Sequence, residues 1–200
     1  LVEDSNITDI NFEGGAPKLE KIILSSIDSL QYIYGVEGLL ELKEVELKNN
    51  TKLSLFDKAR NISKVTLCRT ILSQDEVQIL AKISSMRTLV LKETSYVQNQ
   101  LIFYKDDFPR LNLLIVDFSA IPNVSFTDGS ATRLEKIIWS FTMGTISGIG
   151  NLPKLKGFEF NGDFTPNQVN EAINKHKNKP KLIHNKPENQ YRETGNIQEK

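Results

Sequence analysis

The sequence predicts an α/β solenoid with a parallel β-sheet on its concave side, and two stretches of self-similarity point to it. The six residues Leu19–Leu24, LEKIIL, return almost unchanged as LEKIIW at Leu134–Trp139. The residues after each copy also match, because GVEGLLELKEVEL at Gly35–Leu47 corresponds to GIGNLPKLKGFEF at Gly148–Phe160. Such internal similarity is typical of proteins built from stacked repeats.

A shorter pattern, L-x-x-L-x-L, gives the period of the repeat. Seven segments fit it, and successive copies start 20 to 25 residues apart. This spacing is typical of leucine-rich repeats. Residues 7–12 fit the pattern as well, so we interpret them as a partial first unit. The seven copies start at Leu19, Leu42, Ile62, Met86, Leu111, Leu134 and Leu155.

Each copy of the pattern predicts a short strand. Side chains alternate between the two faces of a strand, so we expect pattern residues such as Leu89, Leu114 and Ile137 in the core. The residues between them then lie on the open face. Neighbouring strands are about 4.8 Å apart, whereas a helix is about 10 Å wide. A stack with strands on one side therefore curves into a leucine-rich-repeat horseshoe with the sheet on its concave side.

The convex side is expected to be irregular, with short helices. Ser73 and Glu76 have the spacing of a capping box and predict the start of one helix. A further helical turn or two is predicted within residues 96–104. Short polar residues mostly come after the strands, where we expect them to bond the turning backbone. These residues are Asn50, Thr70, Thr94, Ser119, Thr142 and Asp163.

We assign residues 1–163 to the repeats and residues 164–185 to a C-terminal cap. Thr165 and Pro166 predict the start of a helix, whose apolar stripe runs from Val169 to His176. This helix is expected to cover the open edge of the last repeat. Residues 186–200 are polar, so we expect them to be disordered.

Composition narrows the classes of partner. The chain has 25 basic and 25 acidic residues, which gives no reason to expect nucleic acid or an anionic membrane as a partner. Cys68 is the only cysteine, which favours a cytoplasmic location over the extracellular leucine-rich proteins with their paired cysteines. The sequence begins at Leu1 rather than Met, so we expect it to be part of a longer chain.

Residues suited to catalysis or metal binding are few. A nucleophilic Cys68 would need a base beside it, but His176 and His184 are far away in the repeat array. Neither histidine has a cysteine or carboxylate at ligand spacing, and His176 is expected to be a packed residue. There is no G-x-x-x-x-G-K-(S/T) sequence to hold phosphates. We therefore expect a non-catalytic module with no metal and no cofactor of its own.

Apolar residues at outward strand positions predict a protein-binding surface. Four of them fall on three consecutive strands, where most other outward positions are polar. An apolar patch with a charged rim is typical of a binding surface, although β-branched residues also favour strands through propensity alone. We expect Ile115→Asp and Val90→Glu to abolish binding without changing the melting temperature. The predicted site comprises Arg87, Val90, Leu113, Ile115, Asp117, Lys136, Ile138 and Ser140.

The C-terminal run AINKHKNKPKLIH, residues Ala172–His184, resembles the closing segment of cereal immune receptors of the nucleotide-binding, leucine-rich-repeat class. In that family a helix ends in A-(A/I)-x-x-H-P-N-R-P-x-L, and this sequence departs from it at Lys177 and Lys179. FEGGAPKLEKIIL and FPRLNLLIVDFS (Phe108–Ser119) are also similar to late repeats of these receptors. The matching positions are Ala172, Ile173, His176, Asn178, Pro180 and Leu182.

This resemblance implies an intracellular plant disease-resistance receptor. In such proteins the domain restrains a nucleotide switch through other domains of the same chain, and it recognises a pathogen effector or a guarded host protein. ADP or ATP would bind an upstream domain. The residues themselves leave two alternatives open, namely the substrate-recognition subunit of a ubiquitin ligase and an enzyme that uses the repeats as a targeting arm.

Overall fold

A nine-stranded parallel sheet, the main sheet, forms one side of the α/β fold. The computed structural model describes residues 1–3, 6–49, 56, 58–117, 123–140, 145–162 and 167–185. From edge to edge, the strands of the main sheet keep their order in the chain. They are β1 (Val2–Glu3), β3 (Lys21–Ser25), β5 (Glu44–Lys48), β6 (Lys64–Cys68), β7 (Thr88–Lys92), β9 (Leu113–Asp117), β11 (Lys136–Ser140), β13 (Gly157–Asn161) and β14 (Lys181–Asn185).

The return segments form a second layer that also contains parallel strands. β8 (Gln100–Phe103), β10 (Asn123–Phe126) and β12 (Thr145–Ser147) pair in one sheet, and β2 (Asp9–Asn11) pairs with β4 (Tyr32–Tyr34) in another. Two helices, α1 (Gln74–Ala81) and α2 (Asn167–Lys175), complete the regular structure that the described residues show, together with short 3₁₀ turns at Val36–Gly38 and Ile149–Asn151. Consecutive turns of the chain thus pair on both sides, which is compatible with the stacked repeats predicted from the sequence.

The pattern residues lie inward, as predicted. In each five-residue strand from β3 to β13 the second and fourth side chains are buried. Register places Leu89, Leu114 and Ile137 side by side, and all three have 0% exposure. Aromatic residues fill the space behind them, since the rings of Phe103 and Phe126 stack 4.8 Å apart. The core therefore lies between the main sheet and the second layer.

A backbone contact between consecutive turns of the chain explains the long self-similar stretch. Gly35 and Gly148 both have φ +72°, and both start a 3₁₀ turn. A Cβ atom on Gly35 would lie 2.6 Å from the nitrogen of Glu13, and a Cβ on Gly148 would overlap the carbonyl oxygen of Phe126. Only glycine permits both the positive φ and this close approach. The two copies share one way of stacking a turn on the turn before it.

Most helical features agree with the predictions. Ser73 caps α1, its hydroxyl accepts from the Glu76 N–H, and the Glu76 carboxylate accepts from the Ser73 N–H at 2.7 Å. The fully buried Thr70 donates to the Ser95 carbonyl at 3.2 Å, as expected of a residue after a strand, whereas Thr94 is exposed. Four of the polar residues predicted at such positions lie outside the described residues, namely Asn50, Ser119, Thr142 and Asp163.

Three predictions about the N-terminal and return segments were wrong. Residues 96–104 contain strand β8, Gln100–Phe103, rather than a helical turn, because this strand pairs with β10. Residues 9–11 of the supposed partial unit belong to the second layer, and Val2–Glu3 provides the first strand of the main sheet. The second layer is also richer in strands than the irregular, short-helical side that we expected.

A fourth correction concerns the C-terminus. Helix α2 contacts β12, the edge strand of the three-stranded sheet in the second layer, and the Ile149–Asn151 turn, whereas the main sheet ends in a strand that was not predicted. Strand β14 is the edge strand and pairs with β13, because the chain continues for one more turn after the helix. Thr165, Pro166 and the tail predicted to be disordered, residues 186–200, lie outside the described residues.

Candidate protein-binding surface

Seven of the eight predicted binding residues lie on the open face of the main sheet, which is the side turned away from the core, and Arg87 is exposed directly before β7. Register aligns Val90 on β7, Ile115 on β9 and Ile138 on β11 in a single row across the sheet. Leu113 lies two residues before Ile115 on the same strand and therefore on the same face. The sequence-derived grouping of these four apolar residues is confirmed in position.

Their exposure differs from the prediction at one residue. Leu113, Ile115 and Ile138 are half-buried, but Val90 is only 5% exposed. Its neighbours in the same row are Thr66 and Ile115, and Thr66 is buried as well. The predicted exposure of Val90 is wrong, so its place is beneath the surface that a partner could touch. We name the accessible residues Leu113, Ile115 and Ile138 the apolar patch.

Ion pairs occupy the open face on the N-terminal side of the apolar patch, beyond β7. Glu46 accepts from Lys21 at 3.1 Å and from Lys48 at 3.2 Å. Glu44 on the same strand pairs with Lys64 at 3.4 Å. Each of these charges has an opposite partner on β3, β5 or β6, so this part of the face offers a binding protein few unpaired charges.

The pKa values in this network follow from its geometry. Burial raises the pKa of Glu46, but the hydrogen bonds from Lys21 and Lys48 outweigh that effect and leave the pKa below its usual range. The hydrogen bond to Glu46 is the largest influence on Lys21, whose pKa is raised. The lowered pKa of Glu46 and the raised pKa of Lys21 both favour the charged pair at neutral pH.

A second set of ion pairs borders the patch on its C-terminal side. The Nζ atom of Lys136 lies 2.7 Å from Oε2 of Glu159, and that of Lys156 lies 3.0 Å from Oε2 of Glu135. Lys136 was predicted as a rim residue, and its ammonium group is directed at Glu159. Ser140, also predicted for the rim, accepts a hydrogen bond from the Asn161 amide at 3.0 Å. These two rim residues therefore have partners within the sheet.

Arg87 and Asp117 provide the charged part of the rim that remains exposed. Neither forms an ion pair with another described residue. Lys92, which the sequence reasoning missed, is the register partner of Asp117 and is exposed beside it. The signal was available, because Lys92 comes two residues after Val90, the spacing that keeps a side chain on one face.

A shallow depression of about 300 Å³ opens next to the patch, where Gly157 presents no side chain. Lys136 and Lys181 flank Gly157 in register on the neighbouring strands, and Ile183 lines the depression further along β14. The sequence reasoning placed Gly157 among outward positions but did not recognise the gap. The open face is therefore less flat toward its C-terminal edge, where the depression lies.

The chemistry of the remaining candidates is limited. Cys68 is half-buried, and burial, with a smaller contribution from Glu93, raises the pKa of its thiol, which disfavours the reactive thiolate. His176 is buried, as predicted, and bonds the Leu152 carbonyl through Nε2 at 3.2 Å. In the part of the chain that the structure describes, no three His, Cys, Asp or Glu side chains come together in a way that could hold a metal ion.

Helices of the described residues are short, and none has the length and apolar character that crossing a membrane requires.

A scan against protein-family models found no match for the chain. A search of curated proteins found no significant similarity.

Proposed function

We propose that the chain is a non-catalytic protein-recognition module of leucine-rich repeats, which binds its partner on the open, concave face of the main sheet. The apolar patch of Leu113, Ile115 and Ile138 is the observation that carries this proposal. It lies between two zones in which charges are mutually paired, so it is the part of the face with most to gain from being covered. The exposed Arg87, Lys92 and Asp117 would orient the partner.

The repeat pattern supports the leucine-rich-repeat assignment. Every pattern strand from β3 to β13 pairs in register with the next pattern strand along the chain. The strand before each loop is five residues long, and the turns of chain between strands are of similar length. The irregular features, strands in place of convex helices, affect only the return segments and leave the recognition face unchanged.

The resemblance to plant immune receptors supports a more specific role. In this proposal the chain is part of an intracellular disease-resistance receptor and senses a pathogen effector or a guarded host protein. It restrains the receptor's nucleotide switch by contacts with other domains of the parent chain, which would hold ADP or ATP. A ligand that binds the released state better than the restrained state would shift the population toward it.

The motif behind this resemblance works as a bracket between two turns of the chain. The Asn178 amide donates to the Pro153 carbonyl at 2.7 Å, and His176 bonds Leu152. The Asn178 N–H donates to Nδ1 of His176 at 3.0 Å. Nε2 therefore carries the ring hydrogen and donates it in a hydrogen bond to the Leu152 carbonyl. The motif therefore supports a similarity of scaffold with these receptors. In this proposal the partner is recognised by the open face of the main sheet instead.

Affinity capture with matched variants tests the proposal. We would express the tagged chain in healthy and infected cereal tissue as wild type, as Ile115→Asp and as Val97→Asp, and identify captured proteins by mass spectrometry. Val97 is 54% exposed and comes directly after a bridge of the second layer, so it controls for an added charge elsewhere.

We expect Ile115→Asp to lose a specific partner that wild type and Val97→Asp retain, with matching circular dichroism spectra for all three. An effector, a host target or the parent's nucleotide-binding domain supports the receptor role. A ubiquitin-ligase adaptor supports the alternative. A set of captured proteins that Ile115→Asp leaves unchanged contradicts recognition through the apolar patch.

A further inference from the structure

Two tyrosines on the second layer form a surface that the proposed function does not use. They belong to the two-stranded sheet of β2 and β4, where Tyr32 is in register with Asp9 and Tyr34 with Asn11. All four are exposed, whereas the alternate residues Ile10 and Ile33 are partly buried against the core. The outward face of this small sheet therefore carries two aromatic rings beside an acid and an amide.

The tyrosine rings are unusually accessible and are already arranged to receive a ligand. Tyr32 is 54% exposed and Tyr34 45% exposed, and their rings stack with centroids 5.9 Å apart and planes 20° apart. In contrast, Tyr96 is buried and its hydroxyl donates to the Gln100 carbonyl at 2.6 Å. Tyr32 and Tyr34 leave about half of their surface to solvent, and an aromatic face is where a cation binds.

An acidic depression of about 380 Å³ lies immediately beyond Tyr34. Its walls are largely glycine backbone, including Gly35, whose position is fixed by the close approach to Glu13. Glu13 and Glu37 are the charged residues among its described lining, and both side chains are exposed. Neither carboxylate forms an ion pair with a described residue, unlike the carboxylates Glu44 and Glu46 on the main sheet.

We propose that this tyrosine face and the adjoining depression bind an extended, arginine-bearing segment of a partner protein. One guanidinium group would stack on the rings of Tyr32 and Tyr34, and a second would enter the depression between Glu13 and Glu37. Charge complementarity selects this occupant over an apolar or acidic segment, since Asp9, Glu13 and Glu37 all border the tyrosines. Arginine suits the site better than lysine because its planar group both stacks and forms two parallel bonds to a carboxylate.

A binding titration followed by NMR tests this proposal directly. The probe is tetra-arginine amide, added to the ¹⁵N-labelled full chain, with tetra-glutamate and tetraproline as comparison peptides. We expect saturable amide shifts along Tyr32–Gly38 with tetra-arginine, and weaker binding as salt is raised. Tyr34→Ala and the double variant Glu13→Gln, Glu37→Gln should each weaken binding by about three-fold or more.

Two further variants keep the test decisive. Tyr34→Phe keeps an aromatic face and should bind tetra-arginine within about two-fold of wild type. Tyr104→Ala removes a similarly exposed tyrosine that stacks on no ring among the described residues and should have no effect. Equal binding of tetra-arginine by Tyr34→Ala and wild type would overturn the proposal, as would a preference for tetraproline or tetra-glutamate. Because none of these residues lies on the main sheet, failure here leaves recognition by the apolar patch standing.

Discussion

The close approach of Gly148 to the preceding turn of the chain predicts a large loss of stability in Gly148→Ala. An added methyl group would lie 2.9 Å from the carbonyl carbon of Phe126 and overlap its oxygen. The obstacle is backbone that is itself paired with β8 and β12, so it cannot swing aside as a long side chain would. The turn must shift, and with it the stacking of two successive turns of chain.

Three glycines allow the magnitude to be worked out in steps. Gly150 has no positive φ and no atom within 4 Å of an added Cβ, so Gly150→Ala should be neutral or stabilise by up to about 1 kcal/mol. Gly14 has φ +70° but equally open surroundings, so Gly14→Ala should lose about 1 kcal/mol of unfolding free energy, the penalty of the left-handed conformation. Gly148→Ala adds overpacking of about 1–3 kcal/mol to the same penalty, for a total of roughly 2–4 kcal/mol.

Urea denaturation followed by circular dichroism would measure the three variants on one scale. The expected order of stability is Gly150→Ala at or above wild type, then Gly14→Ala, then Gly148→Ala. A Gly148→Ala variant no less stable than Gly14→Ala would refute the reasoning, because only the backbone contact distinguishes these two sites. The parallel variant Gly35→Ala, whose Cβ would lie 2.6 Å from the Glu13 nitrogen, should behave like Gly148→Ala.

Three further predictions concern burial, pH and the C-terminal bracket. Val90→Glu should lower the thermal melting temperature clearly, because it places a carboxylate at a buried position, and a melting temperature equal to that of wild type would contradict the burial of Val90. Burial raises the pKa of Tyr96 to about 12, so the unfolded chain loses this proton first and stability should fall as pH rises from about 10 toward 12; urea midpoints of Tyr96→Phe should lack this fall. Asn178→Ala should lose about 1 kcal/mol in urea denaturation through its bond to Pro153, whereas the exposed Asn174→Ala, on α2 without such a bond, should lose less.

Sequence reasoning predicted the seven inner strands of the main sheet, though not its two edge strands, because the signal of the inner strands is local and repeated. Each main-sheet strand from β3 to β13 carries two inward aliphatic or aromatic residues at fixed spacing, so Leu89 or Ile137 could be placed in the core from the pattern alone. The second layer was missed because strands such as Thr145–Ser147 are three residues long, with one buried side chain. They exist because the neighbouring turn of chain provides a hydrogen-bonding partner, and no local pattern records which turn lies alongside.

The sequence predicted which face of the sheet carries the proposed binding surface, but not how exposed each of its residues is. Alternation decides the face on which Val90 and Ile115 lie, yet both residues are β-branched and apolar, and the pattern cannot tell which will be covered. Coverage depends on the length of the side chains in the same row of the sheet, which is set by register between strands far apart in sequence. Lys92 and the gap at Gly157 likewise become informative only once their neighbours across the sheet are known.

Separating scaffold from recognition clarifies what the family resemblance can support. His176 and Asn178, which carry the resemblance, direct their hydrogen bonds at backbone carbonyls of the preceding turn. Any chain that closes its last turns in this way needs those bonds, whatever it recognises. The residues of the apolar patch lie on β9 and β11 and take no part in these bonds. Specificity for a partner is therefore expected to reside in Leu113, Ile115, Ile138 and their charged rim, and it has to be read from binding experiments on that face rather than from the motif.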